Sequence, residues 1–264
     1  MINLNALKNA AVEWQDAKPF PHFHVDNFFD PNIAEQLETE MPDFESDIWH
    51  EYGNAIEVKK ACNNWNAFPS VTYRAFSYLN SNDFVSLLGQ TLFNNDILSS
   101  DFGLNGGGWH IHSRGGKLNT HLDYSLHPKT RQQRKLNIIV YLNSNWEDNW
   151  GGALGFWDNE SDKAPGSLVK QITPKFNRAV IFDTTCNSWH GLPDPIVCPK
   201  DQFRKSMAVY YLTSPSQTVD TRGKALFAPT EEQKNDTEIL DLISRRSNTD
   251  TADSVWSERS VETG

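Results

Sequence analysis

The chain has 264 residues, room for one generous domain or two small ones, and its nine Trp, fifteen Phe and seven Tyr supply bulky core material. A formal charge of -10 excludes a basic nucleic-acid footprint and disfavours anionic lipid, while negative mean hydropathy and the lack of any long apolar run exclude a transmembrane helix. Three cysteines (Cys62, Cys186, Cys198), odd in number and without Cys-x-x-Cys spacing, argue against a disulfide framework or zinc ribbon and fit a reducing cytosol, and the first residues lack the order of a secretory signal.

Leu4, Leu7, Ala11 and Trp14 recur at helical spacing, so residues 1–18 read as a short amphipathic helix. Prolines and alternating aromatics in KPFPHFHVDNFFD then predict a short strand. Asp30 and Pro31 open a helix as N-cap and first residue, Ile33, Leu37 and Met41 form its apolar side, and Pro42 stops it. Residues 43–68 are mixed and read as loop. From 70 to 98 the pattern is helical, carried by Phe76, Leu79, Phe84, Leu87, Leu88 and Leu92. Beyond 101 the texture becomes strand and turn: GLNGGGWHIH, then 135–143, 151–158, 177–183 and 204–213. Short strands at such spacing predict a β-sandwich or barrel-like roll. After Pro215 a helix is expected over about 230–246, with Ile239, Leu242 and Ile243 on one side, and residues 247–264 read as a mobile tail. The expected organisation is mainly β within an α+β chain: supporting helices and a strand in 1–100, the β core in 101–215, and a helix with a polar tail in 216–264.

Two His-x-Asp triplets stand out, His24-Val25-Asp26 and His121-Leu122-Asp123. Eight His and twenty Asp give about 0.6 such pairs by chance, so the triplet alone decides nothing. On a strand, residues two apart share a face, so His121 and Asp123 can reach one ion. A histidine from a distant strand would complete a two-His-one-carboxylate triad with open positions, suited to non-haem Fe(II). His190 follows the strand at 177–183 and meets that need. Arg204 opens the last strong strand, where Arg204, Ser206, Ala208 and Tyr210 share a face, and an inward arginine calls for an anionic partner. His24 and Asp26 lie among Pro and Phe before a helix, and read as solvated positions of an edge strand.

Together, HLD, RKLNIIVYLNSNWEDNWGGALGFWD, ITPKFNRAVIFDTTCNSWHGLP and RKSMAVYYL make the chain from about 110 to 213 resemble the iron(II)- and 2-oxoglutarate-dependent oxygenases, in their prolyl 4-hydroxylase-like branch. PFPHFHVDNFFDP also looks like the lead-in strand and helix of related members. The resemblance implies a double-stranded β-helix, or jelly roll, with helices at one side. It implies that His121, Asp123 and His190 bind Fe(II), and that Arg204 binds the distal carboxylate of 2-oxoglutarate with help from Tyr141. It places Ser206 as a hydroxyl beside that arginine, although some relatives carry the hydroxyl where this chain has Ala208. Asn137 faces the same side as Tyr141. Relatives often have a tyrosine on the strand before His-x-Asp; here the position falls on His112, or on Ile111 with a one-residue shift. The implied reaction consumes 2-oxoglutarate and O2, with ascorbate as a supporting reductant, and hydroxylates a C–H bond. Halogenating relatives have Gly or Ala in place of the aspartate, so Asp123 favours hydroxylation. The implied substrate is a prolyl residue in a peptide or protein. Free amino acids and other small molecules stay open, as do a non-enzymatic ligand-binding β-roll and the oligomeric state, and a zinc hydrolase lacks an HExxH motif.

Several features read more simply. Trp146, Trp150 and Trp157 serve packing. Gly151-Gly152 is a hairpin or bulge device, and the glycines at 106–108 form a turn. Cys186 reads as a buried bystander. His110 and His127 read as solvated loop positions, and the basic run 127–135 as a solvated loop.

Overall fold

The computed structural model describes residues 1–95 and 97–256. Helix α1 (Leu4–Ala10) runs into a 3-10 turn at Ala11–Glu13; it buries Leu7, and Trp14 beyond the turn is buried too, but Leu4 stays exposed. Strand β1 (His22–Val25) follows, then helix α2 (Pro31–Glu40). Asp30 holds the N-cap position without a capping bond from its side chain, so the preset backbone angle of Pro31 is what starts this helix. The segment 43–68 is not loop throughout: it contains the hairpin of β2 (His50–Gly53) and β3 (Glu57–Cys62). The helical stretch after it is two helices, α3 (Ser70–Leu79) and α4 (Asn82–Phe93), the second capped by Ser81 Oγ accepting from the Phe84 N–H.

Ten strands make up most of the next part: β4 (Ser99–Ser100), β5 (Gly108–His112), β6 (Lys117–Leu118), β7 (His121–Leu122), β8 (Gln133–Tyr141), β9 (Leu154–Ser161), β10 (Ala164–Ile172), β11 (Ala179–Asp183), β12 (His190–Gly191) and β13 (Arg204–Thr213). Strand β14 (Leu226–Phe227) and helix α5 (Thr237–Ser247) complete the order. Residues 247–256 are no loose tail. A 3-10 turn at Ala252–Val255 buries both its end residues, Asn54 Nδ2 donates to the Val255 carbonyl at 3.0 Å, and the Gly53 N–H donates to the Trp256 carbonyl at 2.7 Å. The rest of the expected tail, 257–264, lies outside the described residues. No described helix is long and apolar enough to cross a membrane.

The strands form two antiparallel sheets. The larger runs β1-β11-β8-β13-β5-β3-β2, with β4 on β13 and β6 on β3; the smaller runs β10-β9-β12-β7-β14. This is the double-stranded β-helix architecture, with helices on one side. The two faces of the larger sheet divide the work. Leu136, Ile138 and Val140 of β8, Ile181 of β11, and Met207, Val209 and Tyr211 of β13 pack with Leu7, Leu37, Phe76 and Leu88 of the helices. Each such buried side chain contributes about 1.5–3 kcal/mol. The alternate residues of the same strands point between the sheets. Toward β1 they are apolar (Val180 and Phe182, met by Leu154 and Phe156 of β9), and toward β13 and β5 they turn polar. The helix-facing core therefore stabilises the sheet, which leaves the inner face free to carry chemistry.

Candidate active site

β7 and β12 are two residues long, and one cross-strand pair joins them: His121 opposite His190. The register sets the two rings 4.3 Å apart, centroid to centroid. Asp123, just past β7, brings Oδ1 to 3.7 Å from His121 Nε2 and Oδ2 to 3.8 Å from His190 Nε2. The three ligand atoms all lie within 4.8 Å of one another, as one ion would require. His121 Nδ1 donates to the Asn119 carbonyl at 2.9 Å, and His190 Nδ1 donates to the Ser188 carbonyl at 2.8 Å. Those bonds fix the tautomer and leave each Nε2 lone pair aimed at the common point. Burial pushes both imidazoles below the usual histidine range, so they stay neutral and able to bind metal. Burial alone would raise Asp123, but the Arg134 guanidinium, foremost among the opposing groups, helps hold the carboxyl at about 2. Asp123 Oδ2 is buried and accepts no hydrogen bond. Two neutral imidazoles and one carboxylate fit a ferrous ion and leave open positions. Gly191 keeps the construction tight: a Cβ there would come within 2.9 Å of the Leu118, Asn119 and Thr120 backbone.

Across the cavity, β13 presents Arg204, 4% exposed. Its Nε donates to the Gly152 carbonyl at 2.7 Å, and its guanidinium carbon lies 4.9 Å from the centre of the Tyr141 ring. Gly152 has φ +74°, and a Cβ there would sit 2.9 Å from Arg204 Cδ, so the Gly-Gly pair shapes the arginine's seat. Burial lowers the Arg204 pKa, and the group opposing that effect is Tyr141 rather than a carboxylate. The Tyr141 hydroxyl is itself buried without a partner. A buried cation with no carboxylate beside it among the described residues, next to a buried hydroxyl with no hydrogen-bond partner, fits the carboxylate end of 2-oxoglutarate.

The profile of the 2OG-Fe(II) oxygenase superfamily matches residues 107–213, which contain all of these side chains. That stretch runs from just before β5 to the end of β13. Prolyl 3-hydroxylase OGFOD1 of Mus musculus is 27% identical over 85 residues, 32% of this chain and 15% of the relative's length. Among solved structures, a prolyl-4-hydroxylase of Pseudomonas putida is similar with a TM-score of 0.55 and 13% identity, over 80% of this chain and 100% of that one. A prolyl hydroxylase of Trichoplax adhaerens, solved with a hypoxia inducible factor peptide, gives a TM-score of 0.54 and 17% identity over 78% and 89% of the two chains. At these identities the structural likeness speaks for the fold.

The two sheets border a cavity of about 780 Å³. Ser206, Ala208, Asn137 and His112 line it along with the metal ligands and Arg204. Both Asn137 side-chain polar atoms and both His112 ring nitrogens are buried without partners. His112 stands opposite Arg204 across β5 and β13, and Ser206 opposite Tyr141 across β13 and β8. All eight sequence-predicted residues are therefore gathered around this cavity, Tyr141 from behind Arg204.

The sequence reading missed Arg134, the cation nearest the metal ligands. It sits in the run read as a solvated loop, yet β8 starts at Gln133 and Arg134 is 2% exposed. Its guanidinium is sandwiched between Tyr124 and Tyr210 at 3.5 and 3.4 Å, donates from Nη2 to the Asn105 carbonyl at 2.6 Å, and holds Asp123 Oδ2 at 3.3 Å. Strand alternation offers no signal for it: counted from Leu136 and Ile138, residue 134 falls in phase with the helix-facing side, and the register shift beside it turns it toward the site. His110 and His127 are not solvated loop positions either. His110 is on β5 facing the cavity, and burial with nearby Lys59 pushes it down to about 3. His127 is buried, accepts from the Lys129 and Thr130 N–H groups, and faces Asp101 at 3.5 Å. Cys186 is exposed, not buried.

Proposed function

We propose that this chain is an Fe(II)- and 2-oxoglutarate-dependent hydroxylase acting on a prolyl residue of a peptide or protein. The observation that carries the reading is one cavity holding both the His121–Asp123–His190 cluster and a buried Arg204 with no carboxylate partner. When bound, iron with 2-oxoglutarate and O2 supplies oxidative decarboxylation to succinate and CO2 coupled to hydroxylation of a substrate C–H bond, with ascorbate as reductant.

The chain's own residues supply position. His121 and His190, locked by the Asn119 and Ser188 carbonyls, hold the ion through Nε2, and Asp123 holds it through a carboxylate kept ionised by Arg134. Arg204, aimed by the Gly152 carbonyl, and the Tyr141 hydroxyl take the far carboxylate of 2-oxoglutarate. Asn137, His112 and Ser206 offer further polar contacts along the same wall. The metal-binding aspartate supports hydroxylation over halogenation. The word prolyl in the names of all three relatives supports the substrate class, and the unpaired cysteines suit a reducing cytosol.

The test has two stages. Anaerobic addition of Fe(II) and 2-oxoglutarate should produce a weak visible charge-transfer band, and air should then yield succinate. Mass spectrometry should next find one added oxygen on proline-containing peptides. Absence of both band and succinate sinks the oxygenase reading; succinate without any oxidised peptide sinks only the prolyl substrate.

A further inference from the structure

The cavity is cationic inside an acidic protein. Six of its lining residues are Lys or Arg, against three Asp or Glu. Arg134 is matched by Asp123, Arg246 by Glu57 and Lys224 by Asp253. Arg204 is accounted for by the co-substrate. Lys59 is the buried cation left over.

Lys59 lies on β3 opposite Tyr52 of β2. The β3–β5 register pairs Lys60 with Ile111, so one residue further Lys59 falls beside His112, which in turn faces Arg204. Tyr52, Lys59, His112 and Arg204 thus form one row across four strands. At the usual strand spacing the Lys59 backbone is about 10 Å from that of Arg204, so the two cations serve different places in the cavity. The Lys59 side chain is 15% exposed. Its nearest carboxylate oxygen, Glu57 Oε2, is 3.7 Å away, too far for a hydrogen bond, and that oxygen accepts none. Glu57 is already committed through Oε1 to Arg246 Nε at 2.6 Å. One buried carboxylate therefore faces two cations, and among the described residues Lys59 has no carboxylate within hydrogen-bond distance. Beside it the Tyr52 and Trp256 rings lie 5.7 Å apart, and the Trp256 indole N–H is buried without an acceptor.

We infer that Lys59 reads a carboxylate on the substrate. The peptide accepted carries an Asp or Glu near the oxidised residue; its carboxylate sits on Lys59 Nζ, and its backbone crosses the Tyr52 and Trp256 rings. This rests on the reading of the chain as a peptide hydroxylase.

The experiment uses three amidated peptides of equal length with a central proline, flanked by Asp, Asn or Lys, titrated anaerobically into the full chain loaded with Fe(II) and 2-oxoglutarate. Binding should follow Asp, then Asn, then Lys, with about ten-fold or more between the first two. Lys59→Gln should abolish that ratio, Lys59→Arg should restore it, and the 2-oxoglutarate band should titrate alike in all three proteins. An Asp preference that survives in Lys59→Gln overturns the inference, and so does equal or absent binding of the three peptides. A Lys59→Gln protein that loses 2-oxoglutarate binding also overturns it, by placing Lys59 in the co-substrate site. Failure of the band and of succinate formation in the unaltered chain is a separate failure, that of the oxygenase reading, and the peptide order still decides the role of Lys59.

Discussion

The chain spells His-x-Asp twice, and the two copies fold into opposite environments. His24 lies on β1, the edge strand of the larger sheet, and Asp26 just past its end. His24 is exposed, and Asp26 is taken by Arg178 at 2.6 and 3.0 Å and by Lys175 at 3.3 Å. No third ligand faces them among the described residues. His121 lies on β7 of the smaller sheet and Asp123 just past it, both lining the cavity, with His190 held opposite His121 by a single cross-strand pair. What separates the copies is the state of the other atoms around them. At 24–26 the carboxylate is saturated by cations. At 121–123 both imidazoles are fixed through Nδ1, and a carboxylate oxygen is left without a hydrogen bond. A metal site is a set of lone pairs with nothing else to do, and the tripeptide does not encode that.

The strongest way to break the comparison is to alter each copy in turn. Replacing His121, Asp123 or His190 by Ala should cut Fe(II) binding and succinate formation by more than about a hundred-fold, since even outer-shell changes cost 10–100-fold. His24→Ala should leave iron stoichiometry and turnover at the unaltered level. Metal analysis with a succinate assay checks both, and equal losses in the two copies would refute the assignment. Next in size is Arg204→Ala, which removes a charge-assisted pair worth about 1.5–3 kcal/mol. The KM for 2-oxoglutarate should rise by about 10–100-fold while iron binding persists. Arg134→Met tests the layer behind the aspartate. It keeps bulk between Tyr124 and Tyr210 but removes the charge that faces Asp123, and iron affinity should fall by about 10–100-fold in an anaerobic competition titration.

Legibility followed burial. Strands β8, β11 and β13 were plain in the sequence because their helix-facing residues are continuously apolar, and β13 was found at its observed limits, 204–213. The metal triad was legible because ligand chemistry restricts residue types. The hairpin β2–β3 was not: its inward residues Glu57, Lys59 and Ala61 face the cavity rather than a hydrophobic core, so no apolar period marks it. Strand β10 escaped for a related reason, being exposed along most of its length, with Leu168 and Val169 facing solvent rather than a core. Arg134 was hidden by its neighbours, because a buried arginine and a solvated one look alike in a basic run. The C-terminal turn depends on hydrogen bonds to residues 53 and 54, about two hundred positions away, which no local pattern reports.

The smallest expected effect belongs to the other aspartate. The hydrogen bond from Arg178, then its charge and Lys175, hold Asp26 at about 2 against the opposing effect of burial. Its folded pKa lies below the unfolded value, so the pairing stabilises the protein fully above the ordinary carboxylate range. That stabilisation is lost as pH falls from about 4 toward about 2, because the unfolded chain takes up its proton first. The side chain is 35% exposed, so solvent screening limits the contribution to about 1 kcal/mol or less. Asp26→Asn should therefore lower the Tm by no more than about 2–4 °C at neutral pH. The gap from the unaltered protein should narrow as the solution is acidified through that window, in parallel thermal melts. Iron binding by the same variant should be unchanged. A loss of iron in Asp26→Asn without a loss of stability would mean that the edge copy of His-x-Asp has a ligand role after all.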